Sequence, residues 1–340
     1  MSPCVAPLLD NIETSGTHSE PSELLKNKEN SSLDVSIFEY EKYKKLSITN
    51  ALALQEFGVH SDWKDRGNKI LNCGSELVFN GNKLVSANFC RLRICPMCQR
   101  RKSLRTYSDF CKVLDSLGDY SFLHLTLTVP NSYAINLRET IEKMNVCSSR
   151  LFRMKELKRA FKGIARFTEV TYNSHAHGAS FHPHFHCLIA VNKSYFTSRD
   201  YLSVKLIRRW WSVIWRCRDD NLKRMKDEFI KEFNILQTDL LQIHIRKADK
   251  GALPEIAKYA LKPLDMSLNK RERAGVLQIL YQSLHGKRLI QTYGIIKDTL
   301  ADLDIDLESE CVELDTIELD KSHNVVYNYN YSLSRYEKRG

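Results

Sequence analysis

The sequence predicts an α+β protein: a β-sheet with helices packed on it, preceded by a cysteine-bearing segment suited to a metal ion. Three observations carry this. Alternating apolar runs at 120–129, 164–172 and 181–191 read as strands. Runs with apolar residues about every 3.6 positions, as at 104–117, read as amphipathic helices. Cys73, Cys90, Cys95 and Cys98 stand at C-x16-C-x4-C-x2-C, a spacing that lets four thiolates close on one tetrahedral zinc. With 340 residues, 43% of them hydrophobic, the chain can bury a sizeable core in one large domain or two modest ones. A formal net charge of +10 favours a polyanionic partner, nucleic acid before anionic membrane. No apolar run approaches the roughly 18 residues of a membrane span, and no signal-peptide core is present, so a soluble cytoplasmic protein without a membrane partner is expected. In such a chain the ten cysteines read as metal ligands and reduced core thiols rather than disulfides.

Residues 1–45 are rich in Ser, Asn, Glu and Lys without periodicity and read as a disordered tail. Residues 46–117 form a zinc-binding and helical segment, with a helix possible from Tyr40 to Gly58 and another over 104–117 that stops at Gly118. A domain over 118–270 follows. Its first strand, Tyr120–Val129, ends at Pro130-Asn131. Residues 135–162 read as one helix, 164–172 as the second strand, and 173–180 as a loop containing Gly178. Residues 198–217 read as a basic, Trp-rich helix, with its tryptophans in the core and its arginines at the surface. Leu241–Lys247 reads as a strand. Pro254 opens a helix that carries Glu255 to Lys262, and Pro263 ends it. The last region, 271–340, is helical, then acidic with nine carboxylates between Asp302 and Asp320, then polar.

The chemistry centres on Phe181-His182-Pro183-His184-Phe185-His186-Cys187. Side chains at i and i+2 of a strand share a face, so His184 and His186 project together while Phe185 points into a core. Two imidazoles side by side on a rigid strand suit one metal ion. His182 joins them if the strand extends through Pro183. Glu169 lies in the preceding strand, and a hairpin would bring its carboxylate to the pair. Two nitrogens and one carboxylate leave positions open for a phosphate oxygen and water. On the helix after Pro254, Glu255, Tyr259 and Lys262 stand at i, i+4 and i+7 and share one face. A tyrosine there, facing a metal, can attack a phosphodiester, with the lysine orienting the phosphate or easing phenol ionisation. Arg91, Arg93, Arg100 and Arg101 around the cysteines, and Arg208 and Arg209 on the Trp-rich helix, are candidate phosphate contacts.

His184-Phe185-His186 resembles the histidine-hydrophobe-histidine motif of the HUH endonucleases, and Tyr259-Ala-Leu-Lys262 resembles their Y-x-x-K motif. Phe122–Asn131 is similar to their first strand, and the motifs stand in the family's order. Glu255, four residues before the tyrosine, and Cys90-x4-Cys95-Pro-x-Cys98 resemble the single-tyrosine rolling-circle replication initiators of small bacterial plasmids. The resemblance covers roughly 70–265. It implies a central antiparallel sheet flanked by helices, with the histidines on a middle strand and the tyrosine on a helix. It also implies a reaction: Tyr259 nicks single-stranded or hairpin DNA at the plasmid origin, keeps a 5′-phosphotyrosine ester and leaves a 3′-OH primer. Glu255 would activate water or a second cleavage at termination. Mg²⁺ or Mn²⁺ would sit on His184, His186 and Glu169, with His182 as a substitute or support, and zinc would be structural. Host helicase and polymerase are the implied partners. An HUH transposase or mobilisation relaxase shares this chemistry, although relaxases place the tyrosine before the histidines. A zinc-binding DNA-binding protein without catalysis would use the cysteines and basic patches alone.

Overall fold

The protein is described here by a computed structural model, which covers residues 31–174, 180–217, 222–256, 264–307 and 323–339. Its N-terminal part holds helices α1 (Ser31–Phe57) and α2 (Ser61–Asn72), strands β1 (Glu76–Asn80) and β2 (Lys83–Ala87), and helix α3 (Pro96–Ser116). Then come β3 (Tyr120–Thr128), α4 (Leu137–Phe152), α5 (Lys155–Ala160), β4 (Phe161–Asn173) and β5 (Ser180–Asn192). These are followed by α6 (Val204–Arg216), α7 (Asp227–Glu232), β6 (Ile243–Ala248) and α8 (Leu253–Ile256). The remainder is α9 (Lys270–Leu284), β7 (Ile290–Gly294), α10 (Ile295–Asp302), β8 (Asn324–Asn330) and β9 (Arg335–Lys338). The chain divides into two compact units, one drawn chiefly from Ser103–Lys262 and Ile279–Ser309, the other from Ala6–Lys102, Pro263–Gln278 and Glu310–Gly340. Among the described residues, no helix is long and apolar enough to cross a membrane.

In the first unit, strict alternation along the strands builds a two-faced sheet. Its order is β6-β3-β5-β4-β7, antiparallel throughout, with the histidine strand β5 in the middle. Leu123, Leu125 and Leu127 of β3 and Phe185, Cys187, Ile189 and Val191 of β5 turn to one face. There they pack with Met144, Cys147 and Leu151 of α4 and Ile207, Trp210, Trp211 and Ile214 of α6. Those four α6 residues stand at i, i+3, i+4 and i+7, a single apolar stripe. Each fully buried side chain of this size contributes about 1.5–3 kcal/mol. Ser203 starts α6 by accepting a hydrogen bond from the Leu206 amide at 3.3 Å. The alternate residues of the same strands, His124, Thr126, Thr128, His184 and His186, therefore lie on the face away from α4 and α6. On that face Phe167 of β4 is covered by Phe110 of α3, their ring centroids 5.2 Å apart. The β4–β7 edge closes on glycine: a Cβ at Gly163 would lie 2.8 Å from Ile295 Cγ1 and the Ile296 amide, so only glycine lets α10 approach so closely.

The second unit carries its own antiparallel sheet, β2-β1-β8-β9. Phe79 of β1 is buried between Tyr40 of α1 and Tyr327 of β8, with ring centroids 6.1 and 5.9 Å away and edge-to-face geometry.

Three expectations are corrected. The disordered tail assigned to residues 1–45 is corrected over its last part, where helix α1 runs from Ser31; residues 1–30 lie outside the described residues. Ile37, Tyr40, Lys44, Ser47, Ala51 and Leu54 repeat at alternating spacings of three and four and are buried, a stripe that the polar composition masked. The helix expected over 135–162 is broken at Arg153-Met154. Asp227 binds the Arg150 guanidinium at 2.6 Å and the Lys155 amide at 2.9 Å, which starts a new short helix, and Met154 is buried between the two. The polar C-terminal tail forms β8 and β9, with β8 pairing to β1 across most of the chain. The loop around Gly178 and the acidic stretch from Glu308 onward lie outside the described residues.

Candidate active site and metal clusters

β4 and β5 pair in the register the hairpin required, with Glu169 directly opposite His184. Glu169 Oε2 lies 3.0 Å from His184 Nε2 and 2.7 Å from His186 Nε2, and all three side chains are buried. His184 Nδ1 is 3.2 Å from the carbonyl of His182. A carbonyl only accepts, so the hydrogen-bond network assigns the proton to Nδ1. The Nε2 of a neutral His184 then presents a lone pair to the Glu169 carboxylate. Two acceptors 3.0 Å apart need a cation between them, either a proton or a metal ion. Burial raises the Glu169 carboxyl, but hydrogen bonds and charge from His184 and His186 outweigh it and hold the group well below the usual carboxylate range. The donor atoms of Glu169, His184 and His186 all lie within 4.8 Å of one another, a set that could hold one metal ion. His182 lies on the same strand, its ring centroid 5.4 Å from that of His184; its backbone carbonyl is what orients His184.

The same cleft contains residues that were not singled out from the sequence. On β3, His124 Nε2 is 2.9 Å from His186 Nδ1, and Thr126 Oγ1 lies 3.5 Å from that same Nδ1. On β6, His244 and Arg246 pair in register with Thr126 and His124 and line the cleft. Arg246 Nε donates to His124 Nδ1 at 3.3 Å, and its Nη2 is paired with Glu255 Oε2. A guanidinium only donates, so His124 accepts at Nδ1 and, when neutral, carries its proton on Nε2 facing His186. A period-two signal existed in His124-x-Thr126-x-Thr128 and in His244-x-Arg246, but one histidine per strand is what an ordinary core strand also contains.

Among the other candidates, Glu255 sits on α8, which packs against β5, and it lines the cleft with the histidines. Tyr259 and Lys262 lie outside the described residues. Arg208 donates to the carbonyls of Leu241 at 2.8 Å and Leu240 at 3.4 Å, and Arg209 to those of Lys231 at 2.7 Å and Phe233 at 2.9 Å. Both guanidinium groups thus tie α6 to the segments after it. Arg100 is buried and paired with Glu39, whereas Arg91 is exposed and Arg93 and Arg101 are half-buried.

In the second unit the four predicted cysteines converge. Cys73 caps the end of α2, Cys90 follows β2, and Cys95 and Cys98 flank the start of α3. Cys98 Sγ is 3.5 Å from Cys73 Sγ and 3.7 Å from Cys90 Sγ, and all four sulfurs lie within 4.8 Å of one another. A tetrahedron with metal–sulfur bonds of about 2.3 Å has edges of about 3.8 Å, so the observed separations match such a site. The amides of Cys90 and Arg91 donate to Cys73 Sγ at 3.3 Å and Cys98 Sγ at 3.2 Å, as thiolate ligands require. Arg91 reaches this position with φ of +61°, a left-handed residue at the turn of the knuckle. Lys44 is buried nearby and donates to the carbonyls of Leu71 at 2.6 Å and Cys73 at 2.7 Å.

The Replication protein family matches residues 81–337, a span holding the four-strand cleft and three of the four cysteines. A "Protein rep" of Lentilactobacillus hilgardii is 28% identical over 286 residues, covering 80% of this chain and 87% of that protein. A "Protein rep" of Streptococcus pneumoniae serotype 2 (strain D39) is 30% identical over 266 residues, covering 75% and 76%. Another from a Bacillus species is 30% identical over 262 residues, covering 71% and 81%. No solved structure matches. A family match over most of the chain, joined to relatives aligned along three quarters or more of their own length, means that this protein belongs to the Rep family of rolling-circle plasmid replication proteins.

Proposed function

We propose that this chain is the nicking and rejoining enzyme of its plasmid: a metal-dependent DNA endonuclease and strand transferase that opens the leading-strand origin. The observation that carries the reading is the cluster of Glu169, His184 and His186 on the polar face of a rigid central sheet, with Glu255 in the same cleft. The hydroxyl of Tyr259 attacks a backbone phosphorus; the new O–P bond forms as the bond to O3′ breaks. The electron pair leaves on O3′, which takes up a proton and becomes the 3′-OH primer, while the 5′-phosphate stays on the tyrosine. Lys262 orients the phosphate or assists loss of the phenol proton. Rejoining reverses the transfer with the energy kept in the ester. Glu255 takes the proton from water or from an incoming 3′-OH when a round ends. Glu169, His184 and His186 would hold Mg²⁺ or Mn²⁺, with His182 supporting His184; imidazole donors favour Mn²⁺ and cellular abundance favours Mg²⁺. Bound there, such an ion would polarise the phosphate and offset the charge that develops on its oxygens. Zinc in the Cys73, Cys90, Cys95 and Cys98 cluster is structural, because a closed four-thiolate shell leaves no open position. Arg91, Arg93 and Arg101 supply phosphate contacts outside the cleft. Host helicase and polymerase act on the opened origin.

The test is a covalent-adduct assay. Purified protein with Mn²⁺ or Mg²⁺ is incubated with single-stranded oligonucleotides tiling the plasmid origin, then run on a denaturing gel, and the adduct is mapped by peptide mass. An adduct on Tyr259 that disappears with chelator and with Tyr259→Phe is the expected result. DNA binding without any adduct on any tile would leave a zinc-dependent DNA-binding protein in its place.

A further inference from the structure

Arg246 projects from β6 into the histidine cleft. Its Nε donates to His124 Nδ1 at 3.3 Å, and His124 Nε2 in turn lies 2.9 Å from His186 Nδ1, so the guanidinium is held at a set place beside the metal-ligand pair. Its outer edge is paired with Glu255. Among the described residues lining the cleft, Arg246 is the only lysine or arginine. The Arg246 and Glu255 side chains are 56% and 40% exposed. An ion pair that open to water is weak, so a competing anion can displace the carboxylate readily. A phosphodiester is such an anion, and its oxygens match the fork of a guanidinium.

We propose that Arg246 binds a backbone phosphate of the strand entering the cleft and exchanges Glu255 for it. This rests on the cleft being the nicking site. It adds a DNA contact that fixes the strand relative to the histidines, and it makes release of the Glu255 carboxylate depend on DNA being in place. Without DNA, Glu255 stays tied to Arg246; with DNA, Arg246 no longer holds the carboxylate, which can take a proton at termination.

The experiment is a phosphate scan on full-length, zinc-loaded protein in a Tyr259→Phe background, so that DNA is held without being cut. The probe is the origin oligonucleotide that gives the adduct with wild-type protein or, if none does, the tile bound most tightly. Each phosphate is replaced in turn by an uncharged methylphosphonate, and affinity is read by fluorescence anisotropy. With Arg246 present, one or two positions should lose about tenfold in affinity. With Arg246→Ala the same positions should lose less than twofold, and Arg246→Lys should fall between. Scan profiles that coincide with and without Arg246 would overturn the contact. For the exchange, Glu255→Ala should tighten binding severalfold when Arg246 is present and distinctly less when it is alanine. Equal tightening in both backgrounds would overturn the exchange. Failure of wild-type protein to form any adduct would remove the nicking reading, and the scan would still judge Arg246 on its own.

Discussion

His124 tests the metal site without being one of its proposed ligands, because it acts through His186. It is buried, and its Nε2 stands 2.9 Å from His186 Nδ1 while the other ring nitrogen accepts a hydrogen bond from Arg246 Nε. His124→Phe keeps a flat ring of similar size on β3 and removes both partners. The Nδ1 of a buried His186 then has no imidazole to face, a loss of about 1–3 kcal/mol. The cost falls chiefly on the metal-loaded state, because a ligating imidazole needs its second nitrogen held for the first to point at the ion. That corresponds to about 10–100-fold weaker binding of Mn²⁺. The assay is titration of Mn²⁺ followed by the electron paramagnetic resonance of the free ion, on protein whose cysteine cluster has been filled with zinc beforehand. His124→Asn, which can still offer one polar atom, should recover part of the loss. A phenylalanine variant that folds normally and binds Mn²⁺ within twofold of wild type would refute the idea that His124 supports the site.

Trp211 donates its indole N–H to the carbonyl of Thr128 at 2.8 Å, anchoring the end of β3 beside the cleft. Trp211→Phe should destabilise the protein by about 2–3 kcal/mol in urea unfolding, from the lost partner and the smaller ring, and a change under about 0.5 kcal/mol would contradict this. Cys95→Ser should lose bound zinc and expose the second unit to limited proteolysis, whereas retention of a full zinc equivalent at unchanged affinity would count against a four-thiolate site. Burial holds the Lys44 ammonium down to about 8, against the pull of Cys73, Cys95 and Cys90, from an ordinary value of 10.5. Below pH 8 the metal-free fold therefore carries the full cost of a buried charge; between 8 and 10.5 the unfolded chain binds more protons than the folded one, so stability rises with pH across that window. The wild-type minus Lys44→Met difference in unfolding free energy should rise there by up to about 3 kcal/mol, and a flat difference would mean that Lys44 does not titrate as its burial requires.

The histidine strand was legible because its information is local: His184 and His186 share a face by period alone, and the apolar partners of that face, Phe185 and Cys187, declare the core. The cysteine cluster was legible for the same reason, with Cys95-Pro-Met-Cys98 forming a knuckle whatever the rest of the chain does. Glu169 needed one further step, a hairpin register, which the antiparallel pairing of β4 and β5 supplies. His124 and Arg246 needed two strands to become neighbours through β3–β6 pairing although the residues lie 122 apart in sequence, and nothing in either strand announces the other. The same holds for β8, whose Tyr-Asn alternation looks like a polar tail until Tyr327 meets Phe79. The break after Arg153 is harder still, since it depends on the single carboxylate of Asp227.

The cleft combines two kinds of support, and the difference bears on how it can work. His184 and His186 are held by paired strands on both sides, Glu169 by its pairing with β5, and the apolar face lies beneath them, which fixes their spacing. Glu255 is held differently. On either side of it in α8, Leu253 and Ile256 are completely buried, while Glu255 itself is half-exposed. Those two apolar side chains anchor the backbone of α8, and the ion pair to Arg246 helps set where the carboxylate points. Breaking that pair therefore leaves Glu255 in the cleft and removes the Arg246 contact at a cost of about 1 kcal/mol or less. The role proposed for Glu255, a general base used only after DNA has been bound, needs this arrangement: a fixed backbone and an exchangeable partner.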